Sequence, residues 1–361
     1  MWQQHRPLGR LPAAHFLRIR LAFVPPGPAY LLAKVAMLIP SPHAAPQANP
    51  GFSRMFARGR LTLGLTFAIE SYPGDAPTMR DQIPLARKAE QVGFAALGVR
   101  DVPLRDPTFG DLGQIYDPWT WLGYVAGQTE SIALFPAAIV LPLRHPLHTA
   151  KAAASIDQLT GGRLVLGIAS GDRQVEFPAF GVDREERGAL FREQVEYLNA
   201  VWGNTYPEFE SRYGTLYGAD PVPKPISARV PLIVTGNSQQ SVDWIASKAD
   251  GWITYLRPLD FQVELIRQWH DTVDAVAPGT FKPFALPYKI DLVADPDASP
   301  TPIHNGHRLG RSWLMRHLEM LERAGANHVL LNLKFGSRPA EAVLDELATY
   351  VVPRFPALDA L

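Results

Sequence analysis

Small polar side chains cluster where the apolar segment 231–235 meets a predicted helix. Gly236 and Asn237 follow this segment, and Ser238 and Ser241 are three residues apart, so both hydroxyls lie on one face of a helix. The first turn of a helix offers free N–H groups and the positive end of the helix dipole, which together bind phosphate. The sequence therefore predicts an anion site at this turn. The alternative is that Asn237 or Ser238 only caps the helix.

A charged pair follows the apolar segment 95–99. Arg100 is suited to stabilising an anionic substrate or oxygen species, and Asp101 to holding Arg100 or acting as a base. The alternative is a salt bridge between these two residues at the rim, which contributes little to stability. Arg100 and Asp101 are therefore the candidate catalytic residues, with a purely structural pair as the alternative.

Composition limits the classes of function. Lys and Arg together number 35, as do Asp and Glu, so no net field attracts nucleic acid or an anionic membrane. The chain has no Cys, and its ten His show neither HxH nor HExxH spacing, which predicts no metal site. No glycine-rich dinucleotide fingerprint or Walker lysine stands at a strand–helix junction, which argues against bound nicotinamide dinucleotide or ATP. The missing cysteines and the lack of a long apolar segment fit a cytoplasmic enzyme.

Apolar and amphipathic segments alternate regularly beyond residue 60. Strands are predicted at 61–67, 95–99, 132–139, 163–169, 231–235, 251–255, 285–293 and 328–333. Helices are predicted at 78–92, 119–128, 145–159, 185–202, 238–247, 260–276, 310–324 and 340–350. This order predicts an α/β fold, a (β/α)8 TIM barrel with its chemistry at the carboxyl ends of the strands. An open doubly wound sheet is the alternative. The long connections 203–230 and 294–309 are predicted to lie over the carboxyl-end face.

The first 58 residues differ from the rest in composition. Residues 1–69 contain no acidic side chain, and repeated prolines interrupt any helix or strand there. We predict a basic, proline-rich and poorly ordered extension over residues 1–58, followed by the barrel domain over 59–361. A signal peptide, a basic arm for an acidic partner and a later translation start at Met55 are the alternatives.

Several segments resemble those of the bacterial luciferase-like flavin monooxygenases. They are AAIVLPLRHP at 137–146, ASIDQLTGGRLVLGIASG at 154–171, FPAFG at 177–181, VTGNS at 234–238 and ADGWITY at 249–255. The resemblance implies a (β/α)8 barrel that binds FMN, or the deazaflavin F420, in its mouth. It implies a monooxygenase that uses reduced FMN and O2 on a small organic substrate. An F420-dependent dehydrogenase and a non-catalytic flavin-binding protein are the alternatives. A separate flavin reductase and a homodimer formed through the second and third helices are also implied.

The resemblance implies roles for individual residues around the cofactor. Ala137 and Ala138 match a non-prolyl cis peptide beside the flavin ring, and Phe67 and Tyr255 lie at strand ends that face the ring. Gly236, Asn237, Ser238 and Ser241 match the phosphate-binding turn. Ser170 and Gly171 fall where the family adds a phosphate contact; luciferases have an arginine there, so Arg173 is expected to supply the charge. Luciferases also carry a histidine pair at the position of Arg100 and Asp101, so light emission is not expected.

Overall fold

Eight parallel barrel strands form the centre of the molecule. The structure is a computed structural model and describes residues 49–358. Its strands are β1 (Thr62–Thr66), β2 (Ala96–Val99), β3 (Ala133–Pro136), β4 (Ile139–Val140), β5 (Leu166–Ala169), β6 (Phe209–Ser211), β7 (Gly214–Leu216), β8 (Leu232–Thr235), β9 (Gly251–Ile253), β10 (Phe284–Leu292), β11 (Thr301–Ile303), β12 (Gly306–Leu309) and β13 (His328–Asn332). Every residue of β1 and β13 is buried. This explains their unbroken apolar character, because parallel strands are covered on both faces.

The sheet closes into a ring through its third barrel strand, which is split into β3 and β4. The strand order is β3-β2-β1-β13-β10-β9-β8-β5-β4. The half β3 pairs with β2, while β4 pairs with β5, and Leu134 also bridges to Leu164. The predicted (β/α)8 barrel is therefore confirmed, and the open doubly wound sheet is excluded.

Ten α-helices surround this ring in residues 49–358. They are α1 (Pro50–Met55), α2 (Gln82–Gln91), α3 (Pro118–Ala126), α4 (Pro146–Leu159), α5 (Glu176–Ala179), α6 (Arg187–Gly203), α7 (Val242–Lys248), α8 (Leu259–Val276), α9 (Arg311–Ala324) and α10 (Ala340–Tyr350). Proline at the first position starts α1, α3 and α4, where its missing N–H costs nothing. None of these helices combines the length and the apolar character that crossing a bilayer requires.

Helix α1 belongs to the barrel domain. Phe52 and Met55 are fully buried. The Asn49 side chain caps α1 by accepting from the Phe52 N–H at 2.8 Å, and it donates to Asp157 at 3.2 Å. The predicted boundary between residues 58 and 59 is therefore wrong for residues 49–58, because their apolar side chains pack into the amino-terminal end of the barrel. The remainder of the predicted extension, residues 1–48, lies outside the described residues.

Both long connections contain strands of their own. The connection 203–230 carries the antiparallel hairpin of β6 and β7. The connection 294–309 carries β11 and β12, and β12 runs parallel to the end of β10. The connections are therefore partly ordered by backbone pairing, which sequence periodicity did not predict.

Candidate active site at the barrel mouth

The turn after β8 differs in shape from the predicted helix start. Helix α7 begins only at Val242, and Ser238 and Gln239 have left-handed backbone angles, with φ of 46° and 61°. The Ser238 hydroxyl donates to the Thr235 carbonyl at 2.8 Å and accepts from the Ser170 N–H at 3.2 Å. Ser238 therefore ties together the carboxyl ends of β8 and β5.

The helix cap falls on Ser241. Its hydroxyl accepts from the Trp244 N–H at 3.2 Å. The alternative that Asn237 or Ser238 caps the helix is therefore wrong, because the left-handed residues delay the helix and the cap falls on Ser241. The assignment of this turn to a phosphate stays a prediction.

The same turn carries further polar groups. Thr235 Oγ1 is buried and has no partner within residues 49–358. Gly236 has open space where a Cβ would stand, and the Asn237 side chain is exposed. Arg192 of α6 reaches the turn, where its Nη1 donates to Gln240 at 2.9 Å. A hydroxyl, an amide and a guanidinium around open space fit a phosphate group. Sequence reasoning missed Arg192 because only the fold brings α6 to this turn.

Ser170 and Gly171 line the turn from the end of β5. Ser170 is buried, and its N–H is bonded to Ser238 as described above. Gly171 has a φ of 86°, and a Cβ there would lie 2.9 Å from Val140 and 3.0 Å from Phe177. A residue with a side chain at position 171 would therefore clash with Val140 and Phe177. Ser170 contacts the candidate phosphate turn directly, and Gly171 follows Ser170 in the chain.

Arg100 and Asp101 do not form the predicted pair. Asp101 accepts two bonds from Arg144, at 2.9 and 2.8 Å, and a third from the Val140 N–H at 3.1 Å. Both oxygens of this buried carboxylate are engaged, so Asp101 is not placed to act as a base, and that prediction is wrong. Asp101 instead holds β4 in position. Arg100 turns to another carboxylate, Asp111, at 2.9 Å.

Asp111 is the centre of a charged cluster in the mouth. Besides Arg100, it accepts from the Tyr72 hydroxyl at 2.9 Å and lies 3.3 Å from Lys334 Nζ and 3.5 Å from Lys289 Nζ. These partners come from the loop after β1, from β10 and from the segment after β13. Sequence reasoning gave no role to Asp111, Lys289 or Lys334. The closed ring brings them together.

Positive charge is in excess in this cluster, with three cations around one carboxylate. Burial alone would raise the pKa of Asp111, but Arg100, Lys289 and Lys334 hold that pKa well below its usual range. Burial lowers the pKa of Lys289, although Asp111 opposes the shift. Burial and the Asp111 charge together raise the pKa of Tyr72. Asp111 is therefore ionised and Tyr72 is a hydrogen-bond donor at neutral pH.

Arg173 lies against the loop after β2. Its Nη2 donates to the Asp111 carbonyl at 2.5 Å, and its guanidinium lies 4.0 Å from the centroid of the Phe109 ring. These contacts do not join it to the turn after β8, so the structure gives no support to Arg173 as the phosphate charge. Its Nη1 is buried without a partner in residues 49–358. Neighbouring Glu176 is buried, which raises its pKa to about 7 despite Arg173 at 4.0 Å.

The Ala137–Ala138 peptide bond is cis, as the resemblance implied. It separates β3 from β4 and faces the end of the neighbouring strand. A Cβ on Gly167 would lie 2.1 Å from the Pro136 carbonyl oxygen, so only glycine allows this close approach. Contact of Ala137 and Ala138 with a cofactor stays a prediction.

The two predicted aromatic contacts differ in accessibility. Phe67 is fully buried and packs edge-on against Trp121, with ring centroids 5.2 Å apart. Its side chain therefore supports the rim from behind, and the predicted side-chain contact with a cofactor is wrong. Tyr255 is 45% exposed and stands free at the end of β9. Burial and the nearby Asp172 raise the pKa of Tyr255, so its hydroxyl stays protonated.

Comparison with known proteins gives a family and two kinds of relative. A family model described as luciferase-like monooxygenase matches residues 60–284. An F420-dependent glucose-6-phosphate dehydrogenase from Beutenbergia cavernae is 29% identical over 278 residues, which are 73% of this chain and 76% of that protein. The alkanal monooxygenase alpha chain of Photorhabdus luminescens is 25% identical over 195 residues, 53% of this chain and 52% of that one.

A solved structure matches the same barrel. It is an F420-dependent secondary alcohol dehydrogenase in complex with an F420-acetone adduct. The TM-score is 0.68 at 18% identity, and the match covers 82% of this chain and 99% of the other. At this identity the match shows the fold alone.

Proposed function

This chain belongs to the luciferase-like monooxygenase family, whose members are oxidoreductases, and from that premise we propose that it is an FMN-dependent monooxygenase. It uses reduced FMN and O2 to oxidise a small organic substrate. The observation that carries the proposal is the polar turn after β8, with a Thr235 hydroxyl that lacks a partner in residues 49–358, open space at Gly236, the exposed Asn237 and the nearby Arg192. They form a small cradle that suits a terminal phosphate.

The remaining mouth residues have places around such a cofactor. Ala137, Ala138 and Tyr255 would border the ring, and Ser170 and Gly171 would border the phosphate. When bound, FMN supplies the redox chemistry, so the protein contributes position and electrostatics. Arg100 is the candidate for stabilising negative charge that develops in the reaction, since its guanidinium faces the mouth and is partly exposed.

A second candidate function is an F420-dependent dehydrogenase. Oxidising an alcohol to a ketone releases the hydroxyl proton, which needs an acceptor that titrates near neutral pH. Glu176 has that property, with a pKa of about 7 beside Arg173 in the loop after β5. The name of the Beutenbergia cavernae relative also favours this candidate.

Parallel titrations test the proposal. The purified protein is titrated with FMN and with F420, and quenching of tryptophan fluorescence reports binding. We expect FMN to bind, with O2 consumption when reduced FMN and substrate are supplied. If the protein binds F420 but not FMN and consumes no O2, the F420-dependent dehydrogenase replaces the FMN-dependent monooxygenase. Binding of FMN without any turnover would leave a flavin-binding protein.

The variant Asn237→Asp tests the phosphate cradle. A carboxylate against a phosphate costs about 1–2 kcal/mol at a partly exposed site, so the dissociation constant of FMN should rise about tenfold or more. The control Asp243→Asn lies on the neighbouring helix, where it is exposed, and should leave the constant unchanged. Equal FMN affinity in Asn237→Asp and wild type would show that the phosphate of FMN does not bind at this turn.

A reductase partner and a homodimer remain part of this proposal. In the dimer, the second and third predicted helices, which are α3 and α4 of the structure, would pair with their copies, and Tyr116 and Tyr124 are exposed at or near α3, by 46% and 55%. Light scattering of the purified protein gives the mass that decides between a monomer and a dimer.

A further inference from the structure

We propose that the barrel mouth holds a site for an anionic group of the substrate, a phosphate or a carboxylate. Arg100, Lys289 and Lys334 form this site, and the chain's own Asp111 occupies it in the present structure. The inference rests on the proposed function, because it names the substrate class of the same mouth. The substrate is accordingly an organic anion.

The charge balance around Asp111 is the first argument. Arg100, Lys289 and Lys334 bring three positive charges to one carboxylate, and Arg173 donates to the backbone carbonyl of the same residue. Lys289 Nζ stands 3.5 Å from the nearer oxygen, longer than a charge-assisted hydrogen bond. A buried group with this excess of positive charge is costly unless a further anion balances it. An incoming anion therefore has cations available to bind it.

The partners of Asp111 come from separate parts of the barrel. Lys289 lies in β10, and Lys334 follows β13, 223 positions after Asp111. Lys334 is also held by the carbonyls of Gly74 and Gly110, at 2.8 and 3.2 Å. Lys289 is fixed in a strand of the ring and Lys334 follows another, whereas Arg100 and Asp111 are both carried by the connection between β2 and α3.

Apolar rings beside the cations suit the organic part of such a substrate. Lys289 Nζ lies 5.1 Å from the centroid of the Phe335 ring, and Phe335 is 37% exposed. Phe109 covers Arg173 and is 42% exposed. An anionic group between the cations would place its carbon skeleton against these two rings. Asp111 is therefore a resident counter-ion that the substrate replaces.

The test measures binding of inorganic phosphate by calorimetry to the full-length protein, alone and saturated with FMN. In Asp111→Asn the resident carboxylate is gone, so phosphate should bind about tenfold more tightly than in wild type. In Lys289→Met, phosphate should bind about tenfold more weakly than in wild type. The control Arg267→Gln removes a positive charge from the exposed face of α8 and should leave phosphate binding unchanged. Acetate in place of phosphate shows whether a carboxylate is accepted as well.

The outcomes separate this inference from the proposed function. If Asp111→Asn binds phosphate no better than wild type, or Lys289→Met binds it equally well, the anion site is wrong whether or not FMN binds. If the phosphate signal disappears on saturation with FMN, or weakens in Asn237→Asp instead, the anion belongs to the cofactor and the substrate assignment falls. If Asp111→Asn does not fold, the Lys289→Met result decides alone. If the protein binds phosphate as expected but binds neither FMN nor F420, the anion site is supported and the proposed function is wrong.

Discussion

Two arginines at the two ends of the fourth barrel strand have opposite surroundings. Arg163, before the amino end of β5, directs five N–H groups to oxygen atoms of Ala126, Thr129, Thr160 and Ile132. Arg173, beyond the carboxyl end, makes one hydrogen bond and leaves Nη1 buried without a partner in the described part of the chain. Buried polar groups are almost always satisfied, so the exception marks the end of the barrel where a ligand is expected.

The same contrast holds for the two faces as a whole. At the amino-terminal end, α1 brings Phe52, Met55 and Phe56 into an apolar cluster with side chains from the barrel strands. At the carboxyl-terminal end, the mouth holds Asp111 with its cations, and the Thr235 hydroxyl, for which residues 49–358 supply no partner. In TIM barrels the carboxyl-terminal face carries activity and the opposite face stability. Variants at the two faces should therefore affect different measurements.

The largest expected effect is on the amino-terminal face. Phe52→Ala empties a fully buried site that contacts Phe56, with ring centroids 5.0 Å apart. We expect the free energy of unfolding to fall by about 4 kcal/mol, measured by urea denaturation. FMN affinity at low temperature, where the variant is folded, should stay unchanged. Phe261→Ala is the matched control, since Phe261 is 73% exposed and its loss should cost less than about 0.5 kcal/mol. A similar loss in both variants would mean that α1 does not seal the barrel.

A smaller effect is expected at Asp101, on the carboxyl-terminal face. Asp101→Asn weakens two bonds to Arg144 and leaves that guanidinium with only the more exposed Asp117 at 3.2 Å. The free energy of unfolding should fall by about 3 kcal/mol, and FMN affinity should fall with it, because Asp101 holds the strand that follows Ala138. The surface control Asp271→Asn should cost less than about 1 kcal/mol. Loss of turnover with unchanged stability and FMN affinity would instead restore Asp101 as a catalytic base.

The sequence predicted the elements well and the side-chain partners poorly. All eight barrel strands and their helices were found, because each strand is a short continuous apolar run and each helix an amphipathic run of period 3.6. The third predicted strand, 132–139, is split by the cis bond between Ala137 and Ala138, and only the resemblance implied that bond. Local periodicity carries no information about such a break.

The errors at the site have one physical origin. Arg100 and Asp101 are adjacent in sequence, but adjacent residues after a strand point in different directions. Arg100 thus meets Asp111, and Asp101 meets Arg144, each through the tertiary fold. Lys289 could not be placed either, since no pattern in the chain indicates that β10 faces the connection after β2. Charged partners from different strands of a barrel can be identified only from the tertiary structure.

The smallest expected effect is a pH dependence of the free energy of unfolding, which arises from Glu176 at the mouth. The pKa of Glu176 is about 7 in the folded protein and near 4.5 when unfolded, so the folded state binds the proton more tightly. The stability contributed by this carboxyl is full below pH 4.5 and is lost as the pH rises through 7. Between pH 5 and 8 the free energy of unfolding of wild type should therefore fall by about 2 kcal/mol more than that of Glu176→Gln. The exposed control Glu341→Gln should keep the wild-type slope. Urea denaturation across this range gives the slopes, and equal slopes in Glu176→Gln and wild type would show that the mouth does not hold Glu176 protonated.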